Sequence, residues 1–188
     1  MTKMTKMKNL KMSVAAMLLM AVSLGFSQEK AKMAQDHSKM DMSEMDMSEM
    51  DEMQMPPQFN NVDLAKAYAH YEHIRIALVG SKSNDVKMGA SMLSNSLKSV
   101  EGSEAATKAV KDIEIAADLK SQRIAFSALS DEMAVLVEGN LKSGMIYKDF
   151  CPMALGGGAY WLSSEKEIKN PYYGNKMLKC GSVKGIIN

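Results

Sequence analysis

Sulfur is the chemistry this sequence carries in excess. Of its 188 residues 20 are methionine, and eight of these fall between residues 33 and 55. There Met40-Asp41-Met42-Ser43-Glu44 recurs as Met45-Asp46-Met47-Ser48-Glu49, and Met50-Asp51-Glu52-Met53 is a decayed third copy. A thioether is a soft, neutral ligand suited to Cu(I) and Ag(I). One thioether binds weakly, so several must converge. The M-x-M spacing of Met40/Met42, Met45/Met47 and Met53/Met55 places two sulfurs on one side of an extended chain. A spacing of three, as at Met42/Met45, Met47/Met50 and Met50/Met53, suits a turn-like chelate. His37, three residues before Met40, offers an imidazole. The interspersed carboxylates concentrate cations but are hard ligands. Thioethers bind no proton at biological pH, so such a site survives acid that would protonate cysteine or histidine. Two blander readings compete: a Met-rich docking helix and a plain solvated acidic tail. A period of five residues fits no helical stripe, which disfavours the first.

The chain has two cysteines, Cys151 and Cys180. In an exported protein such a pair commonly forms a disulfide. The closed loop would span about 30 residues, worth roughly 3.7 kcal/mol in the chain-entropy model. A second reading starts from Cys151-Pro152-Met153 and Met177-Leu178-Lys179-Cys180. Two thiolates and two thioethers make a good Cu(I) ligand set, and oxidation would switch between the two states. Both readings stand at this point. His70 and His73 are spaced i, i+3 and share one helix face. They flank the apolar stripe, so they are either solvated surface or a two-histidine corner awaiting a third ligand.

No hydrolase nucleophile motif, H-E-x-x-H or phosphate loop is present. Gly156-Gly157-Gly158 opens no helix fingerprint. The sequence therefore reads as that of a non-enzyme.

These residues sit in a chain of three parts. Residues 1–27 carry Lys3, Lys6, Lys8 and Lys11, then an apolar stretch from Met12 to Phe26, with Gly25 and Ser27 at the −3 and −1 positions of a cut before Gln28. That is the pattern of a secretory signal peptide. The apolar run is about 15 residues, short of the roughly 20 that span a bilayer. Periplasmic or secreted localisation is the expectation, with no membrane-spanning segment after cleavage. Without residues 1–27 the chain keeps 19 basic and 22 acidic residues, a balance that argues against nucleic acid as a partner. Residues 28–58 form the acidic Met-rich tail, too poor in branched apolar residues to order without a ligand.

Residues 59–188 hold the expected domain. Four amphipathic helices are read over 62–140. The first runs near Val62–Val79, with Ala67, Tyr71, Ile74 and Leu78 on one stripe. The second runs near Asp85–Val100, with Val86, Ala90, Leu93, Leu97 and Val100. The third starts near Ser103, with Ala106, Val110, Ile113 and Ala117. The fourth carries Phe126, Leu129, Met133 and Leu136 and ends near Gly139–Asn140. A break near Asp118–Ser121 is preferred to one rod of about 36 residues, which would be roughly 54 Å long. Short connections favour antiparallel neighbours. The expected class is thus mainly α: an antiparallel three- or four-helix bundle. Residues 144–188 lose the helical period and read as an irregular Cys-, Gly- and aromatic-rich cap, with short strands near Met145–Phe150 and Tyr160–Ser163.

The C-terminal segments Tyr147-Lys148-Asp149-Phe150-Cys151-Pro152-Met153-Ala154, Gly158-Ala159-Tyr160-Trp161-Leu162-Ser163 and Ile168-Lys169-Asn170-Pro171-Tyr172-Tyr173-Gly174-Asn175-Lys176-Met177-Leu178-Lys179-Cys180-Gly181 resemble the domain-of-unknown-function family DUF3347. The resemblance extends through Gln122–Ser130 and Tyr71–Val79 and covers the chain from about Val62 onward. It implies an exported protein of a kind found in Bacteroidetes-like bacteria. The same domain ends periplasmic adaptors of copper/silver efflux systems, so the resemblance implies metal handling and an efflux or metallochaperone partner. Some relatives carry histidines around the Gln-Arg-x-x-Phe helix, but residues 115–127 here contain none. The combined expectation is an exported Cu(I)- or Ag(I)-binding protein supporting copper or heavy-metal homeostasis. The alternative is a disulfide-stabilised interaction module without bound metal.

Overall fold

Local capping and apolar spacing set the helices. The side chain of Asn61 accepts from the backbone N–H groups of Asp63 (2.8 Å) and Leu64 (3.2 Å) and opens α1, Val62–Val79. The structure, a computed structural model, describes residues 55–188. The leader, His37 and the methionines from Met40 to Met53 lie outside the described residues. α1 has the bounds expected from its sequence. α2, Ser83–Leu97, starts earlier than its apolar stripe suggested and ends before Val100. α3 spans Glu104–Ile115 and α4 spans Leu119–Val137. The break between them is real: Ala116 turns extended and the Asp118 side chain accepts from Ser121 N at 2.7 Å to start the next helix. Ala117 was expected on the α3 stripe but lies exposed in this linker, and Ala116 is the buried residue. Ser103 does not cap α3 with its side chain. Its hydroxyl donates to Leu97 O (2.7 Å), tying the start of α3 to the end of α2.

Each helix packs on the next in sequence, and α4 also packs on the C-terminal strand Ala159–Ser163. The shared core holds Tyr71, Ile74 and Leu78 from α1, Leu93 and Leu97 from α2, Ile113 from α3, and Phe126, Leu129 and Met133 from α4. The chain is mainly α, as expected. The C-terminal part is more regular than the sequence suggested. Strands β1 (Gln58–Phe59) and β2 (Leu141–Ser143) pair antiparallel beside the start of α1. Strands β3 (Ile146–Cys151), β4 (Ala159–Ser163) and β5 (Ser182–Ile187) form a three-stranded antiparallel sheet in the order β4-β3-β5. Two short 3-10 turns, Ala154–Gly156 and Gly174–Lys176, lie in the connections.

The sheet is fastened to the helices through tyrosines. β4 is an edge strand, and an open edge leaves backbone groups unpaired. Leu162 N donates to Tyr71 Oη at 2.9 Å, and Tyr172 Oη donates to the carbonyl of Tyr160. Ser130 Oγ donates to Phe126 O (2.9 Å), so the 2.8 Å contact between Tyr71 and Ser130 is Tyr71 donating onward. The result is a saturated buried chain from Leu162 N through Tyr71 and Ser130 to α4. A phenylalanine at position 71 would keep the ring and strand Leu162 N. Tyr71→Phe is therefore expected to cost about 1–3 kcal/mol in urea unfolding, the usual penalty for an orphaned buried donor. A loss below a few tenths of a kcal/mol would show that the relay is unimportant.

Candidate soft-metal centre

Cys151 ends the central strand β3, and Cys180 enters β5. Antiparallel pairing of Phe150 with Ser182 sets the two cysteines side by side. Their sulfurs stand 2.9 Å apart, with Cys151 buried and Cys180 half-buried. The neighbouring Cys151 thiol and burial raise the pKa of Cys180 above its ordinary value. Metal binding by this pair would accordingly release protons.

A buried asparagine positions Cys180. Asn170 is fully enclosed, its Nδ2 donates to Cys180 O (2.8 Å), and its Oδ1 accepts from Tyr172 N (2.8 Å). Asn170 N also donates to Leu178 O at 2.8 Å, and Cys180 N donates to Met177 O at 3.0 Å. The Asn-Pro-Tyr-Tyr segment thus builds the loop that presents the second cysteine. Gly181 follows with φ +145, where an added Cβ would meet the Trp161 ring at 2.8 Å and Phe150 O at 3.0 Å. The sequence flagged this asparagine only within a motif; an Asn before Pro, two residues ahead of the N–H it accepts, is the local signal for such a turn.

The two methionines next to the cysteines differ in exposure. Met153 is exposed, and its carbonyl accepts from Tyr173 Oη. Met177 is half-buried. Among the described residues no three His, Cys, Asp or Glu side chains are grouped to hold one ion. A metal on the cysteine pair would draw any further protein ligand from another residue type, and Met153 and Met177 are the thioethers nearest in sequence. His70 and His73 are on α1, apart from these strands in the chain. His73 packs against Gly89 of α2, where an added Cβ would come within 2.7 Å of its ring. Its Nε2 is buried without a partner, and no third ligand of those types joins the pair among the described residues. Met55 is described and exposed.

Two residues before Cys151, on the same face of β3, lies Asp149. It is fully buried opposite Trp161, and neither carboxyl oxygen has a hydrogen-bond partner. Burial raises its pKa to about 7. The Arg75 charge opposes the rise, and Glu72 adds to it. Arg75 is buried too, holding Glu72 at 2.8 Å and Glu165 at 3.5 Å. The folded chain binds the Asp149 proton more tightly than the unfolded chain does. Its contribution is therefore full below about pH 4 and lost as pH rises through about 7. Asp149→Asn is expected to remove this loss, stabilising the protein by ~1–3 kcal/mol at about pH 8 and far less at about pH 5. Urea midpoints of both proteins at the two pH values check this. An equal change at both would contradict it.

Residues 67–144 match the family model described as "Protein of unknown function (DUF3347)". The resemblance read from the sequence is thus supported over α1 to α4. The match stops short of the two cysteines. No curated protein and no solved structure matches the chain. Among the described residues no helix is long and apolar enough to cross a membrane.

Proposed function

We propose that this is an exported binding protein for soft monovalent metal ions, Cu(I) or Ag(I). The observation that carries this reading within the described residues is the thiol pair, with Cys151 and Cys180 sulfurs 2.9 Å apart and a methionine two or three residues from each. The second support is the methionine repeat of the tail, which multiplies the same soft donor outside the described residues. In this reading the tail captures ions at low occupancy cost. The four helices serve as an antiparallel bundle, and the strands and loops after them form a cap that holds the thiol site. The ion is then passed to, or kept away from, a periplasmic efflux or metallochaperone partner. The protein works by binding, not catalysis.

The thiol geometry also favours a second reading. Two cysteines this close in an oxidising compartment form a disulfide, and the domain would then be a stapled interaction module. Native mass spectrometry of the full-length mature chain separates the two. Freshly reduced protein exposed to Cu(I) is expected to carry more ions than protein isolated without reductant, and Cys151→Ser/Cys180→Ser is expected to erase that difference. If the reduced wild-type and the double variant bind equal copper, the cysteines are structural.

A further inference from the structure

A cleft of about 610 Å³ opens between the start of α4, the α1–α2 turn and the two 3-10 turns. Its volume lies in the range of small-molecule sites. Three cations face it, Lys120, Arg123 and Lys176, and no acid lines it. Among the described residues none of the three forms an ion pair. Arg123 is held in place by neutral acceptors alone: Nε donates to Pro171 O at 2.9 Å, and Nη2 donates to Leu78 O at 3.2 Å and Ser81 Oγ at 3.1 Å. One anchored guanidinium and two exposed lysines, with no acid in the lining, make a site that attracts an anion.

The walls say what kind of anion. Leu119, Leu155, Tyr172 and Tyr173 line the cleft. Both tyrosine hydroxyls are already spent on carbonyls, of Tyr160 and Met153, so the rings offer apolar surface. The space would hold roughly twenty waters at liquid density, far more than an inorganic oxyanion fills. The backbone adds an independent pointer. Among the described residues two non-glycine residues have positive φ, Ser81 (+55) and Leu155 (+53), and both line this cleft. Strained backbone of this kind concentrates at ligand clamps. Gly174, at φ +57, lets its loop approach so closely that an added Cβ would lie 2.9 Å from Ser81 Oγ and 3.3 Å from Arg123 Nη2.

We infer that this cleft binds a small organic anion, an acidic group carried on an apolar or aromatic body, with Lys120, Arg123 and Lys176 on the charge and Tyr172, Tyr173 and Leu155 on the body. The inference rests on charge and apolar lining and stands whether or not the proposed metal chemistry holds. Full-length protein is titrated with the fluorescent probe 1-anilinonaphthalene-8-sulfonate and with its uncharged relative N-phenyl-1-naphthylamine. The sulfonate is expected to bind one per chain and at least tenfold more tightly than the neutral dye. Lys120→Ala/Lys176→Ala, checked for native circular dichroism, is expected to weaken the sulfonate at least tenfold and leave the neutral dye unchanged. Phenylacetate is expected to displace the probe, and inorganic phosphate at equal concentration is not. Equal affinity for the two dyes, indifference to the double substitution, or displacement by phosphate as effective as by phenylacetate would each overturn the assignment.

Discussion

Deleting residues 33–54 is expected to remove about two Cu(I) ions per chain, since the segment holds seven thioethers and each ion takes three or four. The cut stops at Gln54 because the backbone of Met55 and Pro57 lies against Gly144, where an added Cβ would come within 3.1 Å of Met55 O and 2.9 Å of Pro57 Cα. The remaining copper is expected to depend on Cys151 and Cys180. The two contributions separate further by acidity. Thioether sites keep their metal as pH falls, whereas a thiol site must compete with protons and Cys180 already holds its own more firmly than usual. Lowering the pH to about 4.5 should therefore strip the deleted protein and largely spare the copper bound by the tail in the full chain. Unchanged stoichiometry after the deletion would remove the repeat from the account.

A comparably large effect is expected on stability at Arg75. Its guanidinium is almost wholly buried and grips Glu72 with Nε and Nη2 at 2.8 to 3.2 Å. It also reaches Glu165, and its charge opposes the rise in the Asp149 pKa. One cation thus ties α1 to the segment after β4 and acts through its charge on Asp149 of β3. Arg75→Met keeps the aliphatic volume and removes the charge, leaving Glu72 and buried Asp149 without their nearby cation. The expected cost is about 3–5 kcal/mol, read as a drop in urea midpoint. Part of that cost should return at about pH 5, where Asp149 is protonated. Full recovery by a second substitution, Asp149→Asn, would show that Asp149 alone needed the arginine; partial recovery would assign the remainder to Glu72 and Glu165.

Much of the helical half was readable from one sequence because its signals are local. The apolar steps of three and four mark the buried face of α1, and its expected bounds, Val62–Val79, are those observed. Asp118 capping Ser121 is likewise a short-range contact, and it divides α3 from α4. The spacing misled at Ala117, where the helix had already ended and the stripe passed to Ala116. The sheet was legible only in part. Strands near β3 and β4 follow from their aromatic and branched residues, but β5 carries Lys184 and Gly185 in its middle, and β1 has two residues. What positions the cysteines is less local. The pairing of β3 with β5 joins segments about thirty residues apart, and Asn170 works through a loop whose shape depends on that pairing. Arg75 and Asp149 lie on different elements, so no spacing rule connects them. The cleft around Arg123 likewise draws on the α1–α2 turn, α4 and two later loops.

The central claim is that clustered sulfur competes for copper. A titration of freshly reduced full-length protein with Cu(I), in the presence of a chromophoric Cu(I) chelator and without oxygen, tests it most directly. The expected result is withdrawal of copper from the chelator until several ions per chain are bound, with a lower plateau in the Cys151→Ser/Cys180→Ser variant. A chelator that keeps all its copper at every protein concentration would contradict the account.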